Sequence, residues 1–371
     1  MTVETLSTTN VPDQFSDRLY DGSEYVLPEQ STAAATAVGF KNSLRDAHET
    51  AIQVVDFDDI IAQSYDRGDK TLSQGCIDII KAHVKNAPHF SFYTHDPAMA
   101  VRVERLPQTL IARTSIAETS AHEVFFALLS NDDDDRMRVA VKSFHGEPEK
   151  AITDWTNTML ARKSGLDTFP PVGFMISNGV GYTVTERQDD IDPLDNVDWT
   201  KVLMLPDQYK NMLDDLCKVG PALARLHHGG IYHGDTQLKN GVLTQRGSVH
   251  WIDWEAATLI SRSTPPSDSL KDLLHHKTTR DLKVLFGSLA RSVEAKGVGL
   301  LHRQTPLAQW QHFDELILTP YFAERIKLLD TATPEQAEMA FNVMQAAEDE
   351  IAAYIKNGDM YATLQRSRHS A

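Results

Sequence analysis

The spacing of apolar residues changes twice along the chain. "TLIARTS" (109–115), "EVFFALLS" (123–130) and "MRVAVKSF" (137–144) are short runs rich in β-branched and aromatic residues. They predict three strands, with "NDDDDR" (131–136) as a solvated turn. Residues 149–165 can form a helix. "PVGFMIS" and "VGYTVTE" (171–186) then predict a hairpin turning at Asn178-Gly179, since a two-residue primed turn needs positive φ. Upstream, Asp56 to Asn86 reads as helical, with Thr71 and Gln74 at capping-box spacing and Ile77, Ile80 and Val84 at helical intervals. Residues 1–45 are rich in Thr, Ser, Asp and Ala with weak periodicity. They read as a loose arm, of the kind that only docking would order.

After residue 200 the pattern becomes helical. In "YKNMLDDLCKVGPALARLHHGG" the positions Met212, Leu213, Leu216, Val219, Leu223 and Leu226 share one helical face, and Pro221 is expected to kink or divide it. "GVLT" (241–244), "QRG" and "SVHWI" (248–252) form a second hairpin. "LISRSTPPSDSLKDLLHHKTT" reads as loop-rich, "TTRDLKVLFGSLARSVEA" as a helix. A last helix runs over 334–356, with Thr333 as cap, Pro334 first, Gln336 completing a capping box and Asn357-Gly358 as the stop. The expected class is α+β, a small antiparallel-sheet lobe followed by a larger, mainly helical lobe. The expected divisions are an arm (1–45), a helical extension (46–104), the small lobe (105–190) and the helical lobe with C-terminal helices (191–371).

The chain has 371 residues and a formal net charge of −16, which argues against nucleic acid or an anionic membrane as main partner. Cys76 and Cys217 read as reduced thiols, and neither a signal peptide nor a membrane span is apparent, so a cytoplasmic protein is expected. His227, His228, His233, His250, His275 and His276 lack the spacing of a transition-metal pair. Trp251 and Trp254 read as core residues of the second hairpin.

That hairpin carries the chemistry. Asn240 enters its first strand and Asp253 leaves its second, so both lie at its open end, and Asp235 precedes Asn240 by five residues. Two carboxylates and an amide oxygen are hard ligands suited to Mg²⁺ beside phosphate, and a carboxylate not bound to metal can orient or deprotonate a hydroxyl. Lys142, after three apolar strand residues, can neutralise a phosphate; otherwise it is an outward-facing lysine.

"VAVK" (139–142), "HGDTQLKN" (233–240) and "IDWE" (252–255), in that order, resemble the motifs of the protein-kinase-like superfamily over roughly residues 105–300. The His-Gly-Asp and Asp-Trp-Glu forms are similar to its atypical and small-molecule branches: the aminoglycoside and choline kinases, the lipopolysaccharide Kdo and heptose kinases, and RIO-type proteins. The resemblance implies a two-lobed kinase-like fold, with ATP and Mg²⁺ as cofactors. It implies Lys142 on the α- and β-phosphates, Asp235 as base or hydroxyl-orienting group, and Asn240 and Asp253 on Mg²⁺. His233 would brace the loop and Asp281 would cap its backbone from a helix below. Glu186, closing "VGYTVTE", is grouped with the nucleotide site. For the helix-borne partner of Lys142, counting back from "SGL" points to Asp154, with Glu149 as alternative.

Three features depart from that pattern. No glycine lies between Cys76 and His145, so "SIAETSAHE" (115–123) stands where a glycine-rich loop would cover phosphates. The glutamate expected to pair with Lys142 is not obvious. No arginine precedes Asp235, which argues against activation by loop phosphorylation. Two functions follow: a phosphotransferase acting on a hydroxyl of a saccharide, other small molecule or protein, or a catalytically weak pseudokinase serving as a nucleotide-binding or scaffold protein. In the second case the N-terminal arm or C-terminal helices would recruit a protein partner. The absence of an Ala-Pro-Glu signature favours a non-peptide acceptor, bound near residues 259–279.

Overall fold

The structure is a computed structural model that describes residues 36, 38–40, 42–43, 52–67, 71–85, 91–105, 109–114, 123–130, 136–188, 191–198, 202, 207–208, 210–244, 247–261, 264–296 and 314–356. Its first elements are β1 (Ile52–Val54), α1 (Phe57–Arg67), α2 (Leu72–Lys85), β2 (Phe92–Thr94) and α3 (Pro97–Arg105). The predicted strands follow as β3 (Thr109–Thr114), β4 (Glu123–Ser130) and β5 (Arg136–His145). Then come α4 (Lys150–Lys163), β6 (Pro171–Ser177) and β7 (Val180–Glu186). Asn178 (φ 51°) and Gly179 (φ 77°) take the left-handed conformation that the tight hairpin turn requires. One seven-stranded sheet results, in the order β1-β2-β6-β7-β5-β4-β3. Its first two strands extend the sheet beyond what the sequence pattern reveals, because three residues are too few for alternation to register.

The register decides which side chains share a face. Lys142 stands opposite Val124 and Thr183, while Val141 stands opposite Phe125 and Val184. On the Val141 face, Phe125, Tyr182, Met175 and Phe92 form an apolar cluster that Phe40 closes from outside. Phe40 lies 5.7 Å from the Phe125 ring and 5.4 Å from that of Tyr182. The described helical residues around Phe40 are held by docking, through a fully buried aromatic. Residues 1–35 and the turn 131–135 lie outside the described residues.

On the Lys142 face the sheet carries α4. Trp155 projects from this helix and is 1% exposed, with ring centroids 5.5 Å from Phe57 and 5.0 Å from Phe174. Leu72, Cys76, Ile79 and Ile80 give α2 its buried face. The ion pairs Lys81–Glu149 (2.6 Å) and Lys163–Asp58 (2.7 Å) tie the extension to the two ends of α4. The stretch read as helical over 56–86 consists of two helices, and Thr71 caps the second by accepting the Gln74 N–H (3.3 Å).

The helical lobe contains β8 (Ile191–Pro193), α5 (Lys210–Leu216), α6 (Val219–His228) and β9 (Ile231–Tyr232). It continues with β10 (Gly241–Thr244), β11 (Val249–Trp251), β12 (Thr258–Leu259), α7 (Asp268–Lys296), α8 (Thr319–Leu329) and α9 (Pro334–Lys356). The helical break falls at Cys217-Lys218 rather than at Pro221. Pro221 occupies the first turn of α6, where a helix needs no N–H from it. Met212 is 43% exposed and lies off the face assigned to it. The stretch read as loop-rich is helical from Asp268 onward: Ser267 accepts the Leu270 N–H, and neither glycine nor proline follows until Gly287. Thr333 and Gln336 exchange the two hydrogen bonds of a capping box (3.3 and 3.2 Å) at the start of α9. No helix among the described residues is long and apolar enough to cross a membrane.

Trp155 makes a sharp test of the α4 seat. Trp155→Ala should cost about 3–5 kcal/mol in urea unfolding. Trp155→Phe should cost clearly less than Trp155→Ala, because it keeps an aromatic ring and removes an indole N–H that has no hydrogen-bond partner among the described residues.

Candidate active site

The loop from His233 to Asn240 is held by one carboxylate beneath it. Asp281, on α7, is fully buried and accepts the backbone N–H groups of His233 and Gly234, both at 2.8 Å. Its carbonyl accepts the Thr236 hydroxyl, and Ser288, two turns on, accepts the Leu238 N–H (2.9 Å). The His227 ring joins from α6, with Nε2 3.1 Å from Asp281 and Nδ1 2.7 Å from the Tyr321 hydroxyl. A carboxylate only accepts, so Nε2 carries the proton and Nδ1 accepts from Tyr321. Burial lowers the pKa of this histidine despite Asp281 beside it.

His233 is also fully buried, its ring against Trp251 and Trp254. Its Nε2 donates to the Ile252 carbonyl (3.0 Å), which leaves Nδ1 to accept the Asp235 N–H (3.3 Å). The glycine of "HGD" has a steric cause: Gly234 has φ +79°, and a Cβ there would lie 2.3 Å from the Ala256 carbonyl oxygen. Asp235 is then oriented by two amides, Gln237 on one carboxylate oxygen (2.7 Å) and Asn240 on the other (2.9 Å). Because Asn240 Nδ2 is committed to Asp235, the amide oxygen of Asn240 faces away from it.

Across the hairpin, Gly241 pairs with Trp251, and the Ile252 N–H donates to the Asn240 carbonyl (2.9 Å). Asn240 and Asp253 therefore leave adjacent strand ends. Asp253 is left-handed (φ 67°, ψ 66°), a conformation aspartate tolerates better than most residues but that still costs energy. The turn sends Trp254 inward and brings Asp253 and Glu255 to the same lysine: Lys142 Nζ lies 2.5 Å from Asp253 and 3.2 Å from Glu255. Burial works against the charge on Lys142, but Asp154, Asp253 and Glu255 outweigh it and hold its pKa above that of an ordinary lysine. The outward-facing alternative for Lys142 is excluded.

Asp154 lies near Lys142, but its oxygens are committed elsewhere: they accept the Trp254 N–H and the Thr183 hydroxyl, both at 2.9 Å. Burial raises its pKa, with Lys142 pulling the other way. One turn along α4, Asn157 donates to the carbonyls of Trp254 (2.9 Å) and Ala257 (3.1 Å). Glu149 instead pairs with Lys81 at the outer end of α4. Glu186 closes β7 opposite Val139, three pairs along from Lys142. Sequence reasoning missed Glu255 as a partner of Lys142, and Asn157 and Ser288 altogether. Only the place of Glu255, two residues after Asp253, could have pointed to it. Residues 115–122, where the glycine-free loop falls, lie outside the described residues. Among those described, no cluster of three or more His, Cys, Asp or Glu forms a metal cage.

No family model and no curated protein matches the chain. Among solved structures, WaaP in complex with acyl carrier protein overlaps with TM-score 0.36 and 17% identity, covering 68% of this chain and 92% of that one. A Toxoplasma gondii rhoptry antigen kinase domain overlaps with TM-score 0.34 and 16% identity, covering 65% and 84%. The internal layout is itself specific: a lysine on the third strand of β3–β7, a helix behind it, then a loop and hairpin bringing Asp235, Asn240 and Asp253 to one end. The fold is an α+β arrangement, a mainly antiparallel seven-stranded sheet followed by a mainly helical lobe.

Asp281→Ala would strip the acceptor from two buried backbone N–H groups, and should cost on the order of 3 kcal/mol or more in chemical unfolding. His227 gives a pH signature. Its folded pKa lies below the unfolded value of about 6.5, so the unfolded chain binds more protons in that window and stability rises with pH. Unfolding midpoints should fall as pH drops from about 7.5 to 5.5, and fall less in His227→Asn, which keeps a donor toward Asp281.

Proposed function

We propose that this protein is an ATP- and Mg²⁺-dependent phosphotransferase acting on a hydroxyl of a small, non-peptide acceptor such as a saccharide. The observation that carries the reading is the meeting of Lys142 with Asp253 beside Asn240 and the doubly oriented Asp235. The donor set fits the ion: a carboxylate and an amide oxygen are hard ligands, suited to a Mg²⁺ that arrives with phosphate oxygens. Asp253 and Asn240 would hold it, and when bound it would neutralise phosphate charge. Lys142 would bind the α- and β-phosphates, exchanging a carboxylate partner for phosphate oxygens. Asp235, fixed by Gln237 and Asn240, would orient the acceptor hydroxyl and take its proton. Glu186 sits at the strand end from which the chain passes to the helical lobe, in keeping with a place beside the nucleotide. A cytoplasmic location belongs to the same proposal, as does a protein partner on the N-terminal or C-terminal segments.

A weak or inactive kinase-like protein is the second reading. It is favoured by the commitment of Asp154 to Trp254 and Thr183, and by the lack of glycine between Cys76 and His145.

Thermal unfolding with ATP and MgCl₂ separates the two. The melting temperature should rise with ATP, and more with metal present, as expected for a ligand that binds only the folded state. A chain that shows no shift with nucleotide, with or without metal, is not this enzyme. With labelled ATP and a panel of hydroxylated metabolites, Asp253→Asn should lower turnover by about 100-fold or more while leaving the melting curve cooperative. An active Asp253→Asn protein would mean that Asp253 does not hold the metal.

A further inference from the structure

A cleft of about 390 Å³ opens where four elements meet: the first turn of α2, the outer side of α4, the chain from Glu255 to Thr258, and α7. Its wall is mostly hydroxyl and ammonium groups, among them Ser73, Thr153, Thr258, Lys81 and Lys277, with Ile77 and Leu273 as the apolar part. That volume is within the range of small-molecule sites, and it is larger than one phosphate needs.

The charges of the wall are not equivalent. Lys81 is already matched by Glu149 (2.6 Å). Glu255 is the carboxylate in the wall, but it is turned to Lys142 (3.2 Å) and Lys150 (3.8 Å), so its charge is answered from the other side. Lys277 differs from both. Its ammonium donates to a neutral group, the Thr258 hydroxyl at 3.0 Å, and no carboxylate among the described residues forms an ion pair with it. Partial burial, with Arg280 nearby, lowers its pKa, and Asp281 pulls the other way. The first turn of α2 contains no acid, and the Thr71 cap on that helix end is a neutral hydroxyl. A half-buried cation in a hydroxyl-lined cleft is completed by an oxyanion with several acceptor oxygens.

We propose that this cleft binds a small phosphate-bearing molecule, with Lys277 meeting the phosphate and Ser73, Thr153 and Thr258 supplying hydrogen bonds around it. Phosphate is preferred to carboxylate because the wall supplies several hydroxyl donors besides the ammonium, and a tetrahedral anion presents acceptors in more directions than a planar carboxylate. The occupant would share a wall with Glu255 and so sit one residue away from Lys142. Binding itself does not depend on the phosphotransferase reading, and either can fail without the other.

The test is calorimetric titration of the full chain, without nucleotide or metal, using inorganic phosphate and glycerol phosphate as probes and acetate and glycerol as controls. Saturable binding of both phosphates and neither control is expected. Lys277→Gln should weaken it at least tenfold, and Lys277→Arg should retain most of it. Thr153→Glu, which would add a carboxylate to the wall of the cleft, should abolish it, and serves if Lys277→Gln does not fold. Circular dichroism melts establish that the variants compared are folded. The proposal is overturned if wild type shows no saturable binding, if acetate binds as well as phosphate, or if a folded Lys277→Gln or Thr153→Glu binds phosphate like wild type.

Discussion

The charge on Lys142 ties the two lobes together. The lysine belongs to the sheet of the small lobe, and the carboxylates it touches belong to the segment that leaves the second hairpin. Burying an ammonium is costly unless it is paired, and here Asp253 and Glu255 pair with it while Asp154 adds its field. The dependence runs both ways. Without Lys142 three carboxylates would face one another in a half-buried space. The contact is thus a registry device: it has a low energy only when strand β5 and residues 253–255 sit in one relation.

A second buried charge fixes the other half of the site. Asp281 sits beneath the loop and satisfies consecutive N–H groups that a tight turn leaves without backbone partners. That arrangement needs Gly234, because the loop passes so close to Ala256 that a side chain would not fit. The two anchors meet through the 253–257 turn. Its far side is the wall against which Gly234 packs, and its near side carries Asp253 and Glu255. The left-handed backbone at Asp253 is the local cost of letting one short turn serve both.

The sequence was legible where a side chain announces its own conformation. Asn178-Gly179 marks a turn because few other pairs adopt positive φ at both positions, and the Thr333/Gln336 spacing marks a helix start because the two residues cap each other. The positions of Lys142, Asp235, Asn240 and Asp253 could be read because their spacing and order are local matters. What escaped were relations between distant segments. Apart from its place two residues after Asp253, nothing near Glu255 says that a left-handed turn will swing it onto a lysine over a hundred residues upstream. Asp154 could be located on its helix, yet its hydrogen bonds to Trp254 and Thr183 depend on tertiary contacts alone. The strands of three residues and the division at Cys217 rather than Pro221 were lost for the same reason: packing outweighed weak local preference.

The short side chain of Asp154 bears on how α4 is held. A glutamate at this place on the helix could reach the strand lysine and tie the helix to it. Here the carboxylate is one methylene shorter and is spent on the backbone of Trp254, with Asn157 gripping the same segment a turn later. Meanwhile α1 and α2 close on the helix from outside, through Phe57 on Trp155 and an ion pair at each end. The seat of α4 is therefore set by burial and backbone hydrogen bonds, which are not switched by changes at Lys142. A lysine freed from holding a helix in place can exchange partners without unseating it. By that reasoning the N-terminal extension helps to seat α4, alongside the hydrogen bonds that Asp154 and Asn157 make to the 254–257 segment.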